Sequence, residues 1–324
     1  MGLGSRLSQY DTNLAVWVAR VPPPDAQRLT QRDNESRFPT YQLESERILF
    51  LCLTDQTRFL MCPPPHFGVQ YVINPWMEGQ IDSTNGETVH RQWNEFHDIL
   101  RKHAEVALLP AVQGLPDLVF TANAALIYRE AAVLSNFRCR ERQPEAPYFA
   151  NWLSEDGFKV FTLPPDVCFE GAGDALLDRD TPLLWLGHGF RSDLRAKGYL
   201  EEITGIEVQP IRLIDPRFYH LDTCFCPLNA GNLLYFPGAF DEASNRVIES
   251  RVPESNRLAL GEQDAIDFAC NAVNIGSKVI LNNATAVVSA WLADRGFETI
   301  RTQMGEFMKA GGSAKCLSLR LNEG

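Results

Sequence analysis

Reactive side chains recur along this chain at a nearly constant interval. Asn74, Asn123, Glu170 and His220 are separated by 49, 47 and 50 residues, and Cys316 follows His220 after 96 residues, or two intervals of 48. Such a period is typical of a repeated supersecondary unit. If each unit brings the end of a strand to one central axis, equivalent positions converge although they lie far apart in the sequence. The spacing therefore predicts a repeated architecture with one shared site.

Short strand-like segments alternate with longer helical segments along most of the chain. Hydrophobic side chains recur at helical spacing over residues 87–106, whereas residues 118–120 and 125–135 have the character of strands. Strands of about five residues interleaved with helices of ten or more are typical of α/β or α+β domains. No Gly-x-Gly-x-x-Gly sequence opens a helix, so we expect no dinucleotide cofactor.

The N-terminal part of the chain differs in composition from the rest. Residues 1–48 are polar, contain the run Pro22-Pro23-Pro24 and show little periodicity, which favours a partly ordered extension. No later linker is long enough to mark another boundary. We therefore expect one domain over residues 49–324.

Charge and cysteine content exclude several classes of protein. With 41 acidic against 30 basic residues and a net charge of −11, the chain has no basic footprint for nucleic acid. No apolar run is long enough to span a membrane, so we expect no membrane partner. The eight cysteines show no paired framework, which favours a reduced, cytoplasmic protein. Cys224 and Cys226 lack a second ligand pair, so we expect no metal site.

A cysteine near the end of the sequence has the surroundings of a reactive thiol. Cys316 follows a Gly-Gly pair, which lets a ligand approach the backbone, and it is next to Lys315. A neighbouring positive charge favours the thiolate, and Lys315 is a candidate for supplying it. On this evidence alone, the alternative is an unreactive core cysteine.

Two further segments carry groups that can transfer protons or bind a cation. If residues 218–226 form a strand, His220 and Asp222 share one face, where an imidazole and a carboxylate can serve these roles. Glu170 and Asp174 flank a turn of small residues and can orient a base or hold a cation. The alternative for this pair is a solvated turn.

Four segments together resemble the signatures of the guanidino-group modifying enzymes, which include arginine deiminases, dimethylarginine dimethylaminohydrolases and amidinotransferases. They occur in the same order as in that superfamily, and the resemblance covers about residues 50–324. It implies an α/β fold of the pentein type, a five-bladed β/α propeller of ββαβ modules with pseudo-five-fold symmetry. The segments are FTAN at 120–123, EGAGD at 170–174, HLDT at 220–223 and GSAKC at 312–316.

Within this superfamily the chain is most similar to the arginine dihydrolases. Arginine deiminases usually carry aspartate where this chain has Asn123, and the segment INPWM at 73–77 also fits the dihydrolase group. The resemblance implies hydrolysis of arginine to ornithine, carbon dioxide and two ammonia, without a cofactor or metal, by a homo-oligomer. The alternatives are a citrulline-forming arginine deiminase or dimethylarginine dimethylaminohydrolase, and a non-catalytic pentein scaffold.

Cyanobacterial relatives carry an additional C-terminal region that processes ornithine. The present sequence ends eight residues after Cys316. We therefore expect this second activity to be absent.

The resemblance also implies roles for individual residues. Cys316 attacks the guanidinium carbon and forms a thiouronium intermediate, and His220 protonates the departing ammonia and then activates water. Glu170 orients His220 or binds the guanidinium group, and Asp222 anchors the guanidinium nitrogens.

Amide and arginine side chains complete the expected site. Asn74 and Asn123 offer both donors and acceptors, so they can retain the neutral ureido group of citrulline for a second hydrolysis. Arg142 and Arg191 are candidates for binding the α-carboxylate, because guanidinium groups match carboxylates in a bidentate geometry. The alternative for either arginine is a surface charge.

Overall fold

The computed structural model describes residues 56–324. The predicted extension at residues 1–48 lies outside the described residues. The described part contains fifteen short strands, which share a length of two to six residues. These are β1 Arg58–Met61, β2 Glu105–Leu108, β3 Ala125–Tyr128, β4 Ala131–Leu134, β5 Lys159–Phe161, β6 Ala175–Leu177, β7 Leu183–His188, β8 Glu207–Arg212, β9 Phe225–Leu228, β10 Asn232–Tyr235, β11 Arg257–Ala259, β12 Val273–Ile275, β13 Lys278–Leu281, β14 Glu298–Arg301 and β15 Leu319–Arg320.

Eight α-helices lie among these strands in the described residues. They are α1 Gly86–Arg101, α2 Ala146–Glu155, α3 Gly171–Asp174, α4 Ala196–Thr204, α5 Glu242–Arg251, α6 Glu262–Ile266, α7 Ala286–Asp294 and α8 Gly305–Met308.

The strands form five three-stranded sheets of one pattern. Their strand orders are β15-β1-β2, β3-β4-β5, β6-β7-β8, β9-β10-β11 and β12-β13-β14, here called sheets 1 to 5. In every sheet the central strand pairs antiparallel with one neighbour and parallel with the other. Parallel neighbours need a crossover connection, and α1, α2, α4, α5 and α7 supply it in sheets 1 to 5. The period in the sequence is therefore the length of one such unit.

Sheet 1 is built from distant parts of the chain. Its central strand β1 pairs in parallel with β2 and antiparallel with β15, where Phe59 lies opposite Arg320. The side chain of Asn322 also accepts a hydrogen bond from the backbone N of Arg58 at 3.0 Å. The strand that follows Cys316 thus completes the first sheet of the described chain.

The crossover helices begin at residues that cap them. Asn85 accepts a hydrogen bond from the backbone N of Thr88 at 2.9 Å and starts α1. Asp241 and Thr285 play the same part for α5 and α7. The predicted helix over residues 87–106 is thus shorter than expected, because β2 already begins at Glu105.

Hydrophobic side chains fill the space between adjacent sheets. Because successive side chains of a strand point to opposite faces, Phe59 and Met61 pack with Val273 and Ile280 of sheet 5, while Leu60 packs with residues of sheet 2. The other pairs of consecutive sheets, 2 with 3, 3 with 4 and 4 with 5, share a cluster in the same way. Each sheet is therefore buried on both faces.

A tight turn precedes the first strand of every unit. We call these five segments the pre-strand turns, and the strands that follow them begin at residues 125, 175, 225, 273 and 319. We define them as residues 120–124, 170–174, 220–224, 268–272 and 314–318. They are largely buried, and they contain most of the reactive side chains.

Of two strand predictions, the first was wrong, and the second was correct in type but covers two strands. Residues 118–120 belong to 3-10 turns rather than to a strand. Residues 125–135 form the hairpin β3-β4, which reverses at Arg129 with φ of 53°. Short buried apolar runs have the same composition in strands and in tight turns, so the pattern alone does not separate them.

The expected strand over residues 218–226 is also wrong. His220 precedes a 3-10 turn at Leu221–Thr223, and β9 begins only at Phe225. His220 and Asp222 are therefore not on one face of a strand.

In the described residues no helix is long and apolar enough to cross a membrane.

Candidate active site

A small cavity is lined by residues from two pre-strand turns, 120–124 and 314–318, from the segment between β1 and α1, and from other loops. Its volume is about 10 Å³, roughly the space that one water molecule needs. The predicted site residues that line it are Cys316, Asn74, Asn123, Arg142 and Arg191. His220, Glu170 and Asp222 do not line it, but they are buried and reach it through direct contacts described below.

Cys316 is held by a residue that the sequence analysis missed. The amide Nδ2 of Asn271 lies 3.1 Å from the Cys316 Sγ, and its Oδ1 accepts a hydrogen bond from the Cys316 backbone N at 3.2 Å. Asn271 also donates to the backbone carbonyl of Asp222 at 3.0 Å. Asn271 belongs to the pre-strand turn 268–272. The interval from His220 to Cys316 is twice the period, so the sequence indicated that one intermediate repeat had no assigned site residue.

The thiol of Cys316 is not activated in the way that the sequence suggested. Burial, and then the nearby carboxylate of Asp222, raise the pKa of Cys316 well above its ordinary value of 9.0. Lys315 does not line the Cys316 cavity but a second cavity, which it shares with Asp222. Lys315 and the Cys316 thiolate still attract each other, but burial and Asp222 outweigh this attraction, because adjacent residues of a turn point in different directions.

His220 and Glu170 form a buried pair. The Nε2 of His220 lies 2.7 Å from the Oε2 of Glu170, and Arg191 Nη1 binds the same oxygen at 3.1 Å. The backbone N of Arg138 donates to the other oxygen at 3.1 Å. Burial alone raises the pKa of Glu170, but Arg191 and His220 outweigh it and hold that pKa well below its usual range. Glu170 is therefore a permanent anion that fixes the imidazole.

Asp222 connects the thiol to the interior. Its Oδ2 accepts a hydrogen bond from the Cys316 Sγ at 3.3 Å, whereas its buried Oδ1 has no hydrogen-bond partner among residues 56–324. Burial raises the pKa of Asp222 to about 7, although Lys315 opposes this rise. A free carboxylate oxygen beside a nucleophile is suited to binding an N–H donor of a cation.

Asn123 presents an unused amide group to the site. Its Oδ1 accepts from Arg142 Nη1 at 2.7 Å, while its buried Nδ2 has no partner in the described part of the chain. A Cβ atom on Gly173 would lie 2.2 Å from this Nδ2 and 3.4 Å from the His220 ring. Glycine at this position therefore lets Asn123 and His220 approach each other across the turn.

Asn74 is placed differently from the other members of the period. It caps the 3-10 turn Pro75–Met77, where its Oδ1 accepts from the Trp76 backbone N at 3.0 Å. Its Nδ2 donates to the Ala310 carbonyl at 3.0 Å. Asn74 lines the cavity, but it is not on a pre-strand turn, so its fit to the period does not reflect an equivalent position.

Both candidate arginines line the cavity, and both are already paired. Arg142 binds Glu145 in a bidentate geometry, with distances of 2.9 and 2.8 Å. Arg191 binds Glu170 and donates to the Ile73 carbonyl at 2.9 Å. Their exposures of 3% and 4% exclude the alternative that either is a surface charge.

A carboxylate that lines the cavity was not singled out from the sequence. Asp117 is buried and accepts a hydrogen bond from Tyr71 at 2.8 Å, while its Oδ1 has no partner within residues 56–324. Only its position, six residues before Asn123 in a turn-rich segment, distinguished it in the sequence. Cation-binding oxygens thus face the cavity from Asp117 and lie next to Cys316 in Asp222.

This arrangement is suited to a cationic substrate with an electrophilic carbon. It combines a soft nucleophile, a fixed imidazole and unpaired carboxylate oxygens within one buried region. In the described residues no group of three or more His, Cys, Asp or Glu side chains is placed to hold a metal ion.

Comparison with known proteins identifies the family. The sequence profile of eukaryotic N,N-dimethylarginine dimethylhydrolases matches residues 73–321. A bifunctional arginine dihydrolase/ornithine cyclodeaminase from Nostoc sp. is 54% identical over 271 residues, which are 84% of this chain and 38% of that protein. The chain thus spans about two fifths of the length of this relative. An N(G),N(G)-dimethylarginine dimethylaminohydrolase from Mycobacterium tuberculosis is 36% identical, over 82% of this chain and 86% of that one.

Solved structures agree with this relationship. The N-terminal domain of a cyanobacterial arginine dihydrolase, crystallised with substrate as a cysteine-to-serine variant, is 52% identical with a TM-score of 0.82 and covers 82% of this chain and 98% of that one. A dimethylarginine dimethylaminohydrolase at 20% identity has a TM-score of 0.70, covers 82% of this chain and 99% of that chain, and shares the fold. The expected mixed α/β fold is confirmed. The chain belongs to the dimethylarginine dimethylaminohydrolase family of guanidino-group modifying enzymes, and its matched relatives include arginine dihydrolases.

Proposed function

We propose that this chain hydrolyses arginine with two waters to ornithine, carbon dioxide and two ammonia. The observation that carries the proposal is the asparagine amide of Asn123, which lines the Cys316 cavity with its Nδ2 unpaired. Identities of 54% and 52% to bifunctional proteins with arginine dihydrolase activity support it.

The first hydrolysis uses a covalent intermediate on Cys316. His220 first takes up the proton of the Cys316 thiol, and the sulfur then attacks the guanidinium carbon while Asp222 holds the guanidinium nitrogens. Protonated His220 gives its proton to the leaving nitrogen, and ammonia departs to leave a thiouronium group. Neutral His220 then takes a proton from water, the hydroxide adds to the same carbon, and the C–S bond breaks to give citrulline. Glu170 keeps the imidazole in one orientation during both proton transfers.

The second hydrolysis depends on retaining a neutral ureido group. Its carbonyl oxygen needs a donor, which the free Nδ2 of Asn123 supplies and an ionised aspartate lacks. Asn74 adds a further amide to the cavity. A second attack by Cys316 releases the second ammonia and leaves a thiocarbamate on the sulfur. Water then adds to the same carbon and the C–S bond breaks, which leaves a carbamate on ornithine that loses carbon dioxide.

The amino-acid end of the substrate meets charged groups of both signs. The guanidinium groups of Arg142 and Arg191 suit the α-carboxylate, and the free oxygen of Asp117 suits the α-ammonium group. This arrangement favours a free amino acid over a protein-bound arginine, whose α-groups are in peptide bonds.

We infer that the five sheets close into a propeller with pseudo-five-fold symmetry. Shared hydrophobic clusters join sheet 5 to sheet 1 as well as all consecutive sheets. Contacts between pre-strand turns support the same closure. Leu221 N donates to Asp174 Oδ1 at 3.1 Å, and Ala122 N donates to the Cys316 carbonyl at 3.1 Å.

Three further expectations stay proposals. The catalytic domain comprises residues 49–324, which is supported by the profile match over residues 73–321. The protein forms a homo-oligomer, which the resemblance implies and light scattering tests. Location in the cytoplasm is supported by the free thiols of the seven cysteines in the described part of the chain.

Product analysis tests the function. The intact chain is incubated with arginine, and ornithine is separated from citrulline. Ornithine as the main product supports the dihydrolase, whereas citrulline supports the deiminase alternative. Preferential turnover of methylated arginine supports a dimethylarginine dimethylaminohydrolase, and no turnover of any guanidino compound supports the scaffold.

Two variants test the assigned roles. Asn123→Asp is expected to release citrulline in place of ornithine, and unchanged ornithine formation would contradict the role of the amide. Cys316→Ser is expected to abolish turnover, and undiminished turnover by it would rule out the covalent route.

A further inference from the structure

A second cavity adjoins Asp222 away from the Cys316 thiol. It has a volume of about 40 Å³, and Asp222 and Lys315 both line it. Asp222 contacts Cys316 Sγ through Oδ2 at 3.3 Å, and its buried Oδ1 has no hydrogen-bond partner in the described residues. The carboxylate thus lies between the Cys316 thiol and a cavity that is also lined by Lys315, the residue before Cys316.

The charges around this cavity leave Asp222 facing excess positive charge. Arg179 and Glu323 bind each other, with Nη2 and Oε1 2.8 Å apart, so their charges largely cancel. Lys315 and Arg320 remain as positive charges. Of these two, Lys315 is the one whose charge lowers the pKa of Asp222. Asp222 and Lys315 act on each other electrostatically in both directions. Thiols whose pKa burial raises are also present: Cys224, Cys226 and Cys316 interact with Asp222, and Cys270 lines the second cavity.

We propose that Lys315 is a positioning residue that acts through Asp222, keeping this carboxylate ionised from the second cavity so that it can bind the guanidinium group of the substrate. This inference rests on the proposed function. It explains why a lysine precedes the nucleophile without lining its cavity. A buried carboxylate without such a neighbour takes up a proton, and a protonated carboxyl group does not bind a cation.

Arginine binding tests the proposal in a background that cannot turn over the substrate. Calorimetric titrations compare Cys316→Ser with the same chain carrying Lys315→Met or Lys315→Arg. The control is Lys278→Met, which removes a lysine that pairs with Glu298 at 3.4 Å on sheet 5. At about pH 6 we expect Lys315→Met to bind arginine roughly tenfold more weakly, because a lost opposite charge raises a carboxyl pKa by about one unit.

The pH dependence separates this role from a structural one. At about pH 9 the carboxylate is ionised with or without Lys315, so the difference in affinity is expected to vanish. Lys315→Arg keeps the charge and is expected to behave like the reference, as is Lys278→Met. An equal loss at both pH values, or no loss at the lower one, would overturn the proposal.

A second readout does not depend on arginine. The rate of iodoacetamide alkylation of Cys316 is measured against pH in the chain with its thiol intact. Loss of a cation disfavours the thiolate, so Lys315→Met is expected to move the rise in rate to higher pH, with recovery in Lys315→Arg. If the Cys316→Ser chain does not bind arginine, the proposed function fails. The pH at which the alkylation rate rises still tests whether the charge of Lys315 acts on the Asp222–Cys316 pair. An unmoved rise overturns the proposal.

Discussion

Asn271 holds Cys316 at two points, with its Nδ2 3.1 Å from the sulfur and its Oδ1 bound to the Cys316 backbone N at 3.2 Å. The amide therefore fixes the rotamer of the nucleophile and offers a donor that stabilises negative charge on it. Asp222 lies on the same sulfur with the opposite effect. Together with burial, these two neighbours determine how readily the thiol ionises.

Replacement of Asn271 by alanine is expected to reduce kcat about a hundredfold, because a preorganised donor to the reacting sulfur is lost. Asn271→Asp is expected to be at least as damaging, since it replaces the donor with a second negative charge. Steady-state ornithine formation measures both. Asn151→Ala, at an exposed position of α2, is the control, and a full-rate Asn271→Ala would contradict the role of this contact.

The thiol of Cys316 is expected to be protonated in the resting protein at neutral pH, since burial and Asp222 raise its pKa above 9.0. Without substrate, alkylation by iodoacetamide should therefore keep increasing as the pH rises past that value. A bound guanidinium ion adds positive charge and should increase the thiolate fraction at a given pH. Mass spectrometry of the peptide that contains Cys316 gives the rates. A plateau reached below pH 9.0 in the free protein would be inconsistent with this environment.

Glu170 is expected to make folding stability fall in acid. Its pKa is depressed in the folded protein relative to the ordinary value of 4.5, so the unfolded chain takes up a proton first as the pH decreases. This contribution is fully present above about pH 4.5 and is lost as the pH falls through the folded pKa. Urea unfolding of wild type and Glu170→Gln measures it.

The variant should lower the free energy of unfolding at neutral pH by about 3 kcal/mol, because Arg191 loses its buried partner. The difference from wild type should shrink in acid. Glu155→Gln, at an exposed position, is the comparison, and a difference that stays constant with pH would count against the ion pair.

Gly173→Ala is expected to disrupt the site while leaving the fold intact. Its Cβ would lie 2.2 Å from Asn123 Nδ2, so the amide must move away from His220. We expect kcat to fall at least tenfold and citrulline to increase relative to ornithine.

Gly198→Ala is a matched control, because it lies in α4 with no atom within 4 Å of the new Cβ. It should keep its activity and gain about 0.5 to 1 kcal/mol of stability, since alanine favours helix over glycine. Equal activity in the two variants would show that the close approach at Gly173 has no catalytic importance.

Spacing in the sequence predicted the repeated architecture because each unit has nearly the same length. It could not assign every position, since Asn123, Glu170 and Cys316 occupy different places within their turns and Asn74 lies on none of them. The approximate period thus indicated which turns carry the site but not how each side chain is used.

The errors concerned the directions in which individual side chains point. Lys315 and Cys316 are adjacent in sequence but line different cavities, and His220 precedes a 3-10 turn that contains Asp222 rather than sharing a strand with it. Such directions depend on packing between units that are about 50 residues or more apart. The partners of Asn271 and Asp117 depend on the same long-range packing, which explains why neither was singled out.

The pairing of β15 with β1 has a consequence for biosynthesis. A ribosome releases β1 early and β15 only after every other strand of the described chain, so the first sheet waits for its third strand until the end. The sulfur of Cys316, the proposed nucleophile, emerges just ahead of that strand. Prematurely terminated chains are thus expected to lack both Cys316 and the pairing of β15 with β1, and they should lack the proposed activity on arginine.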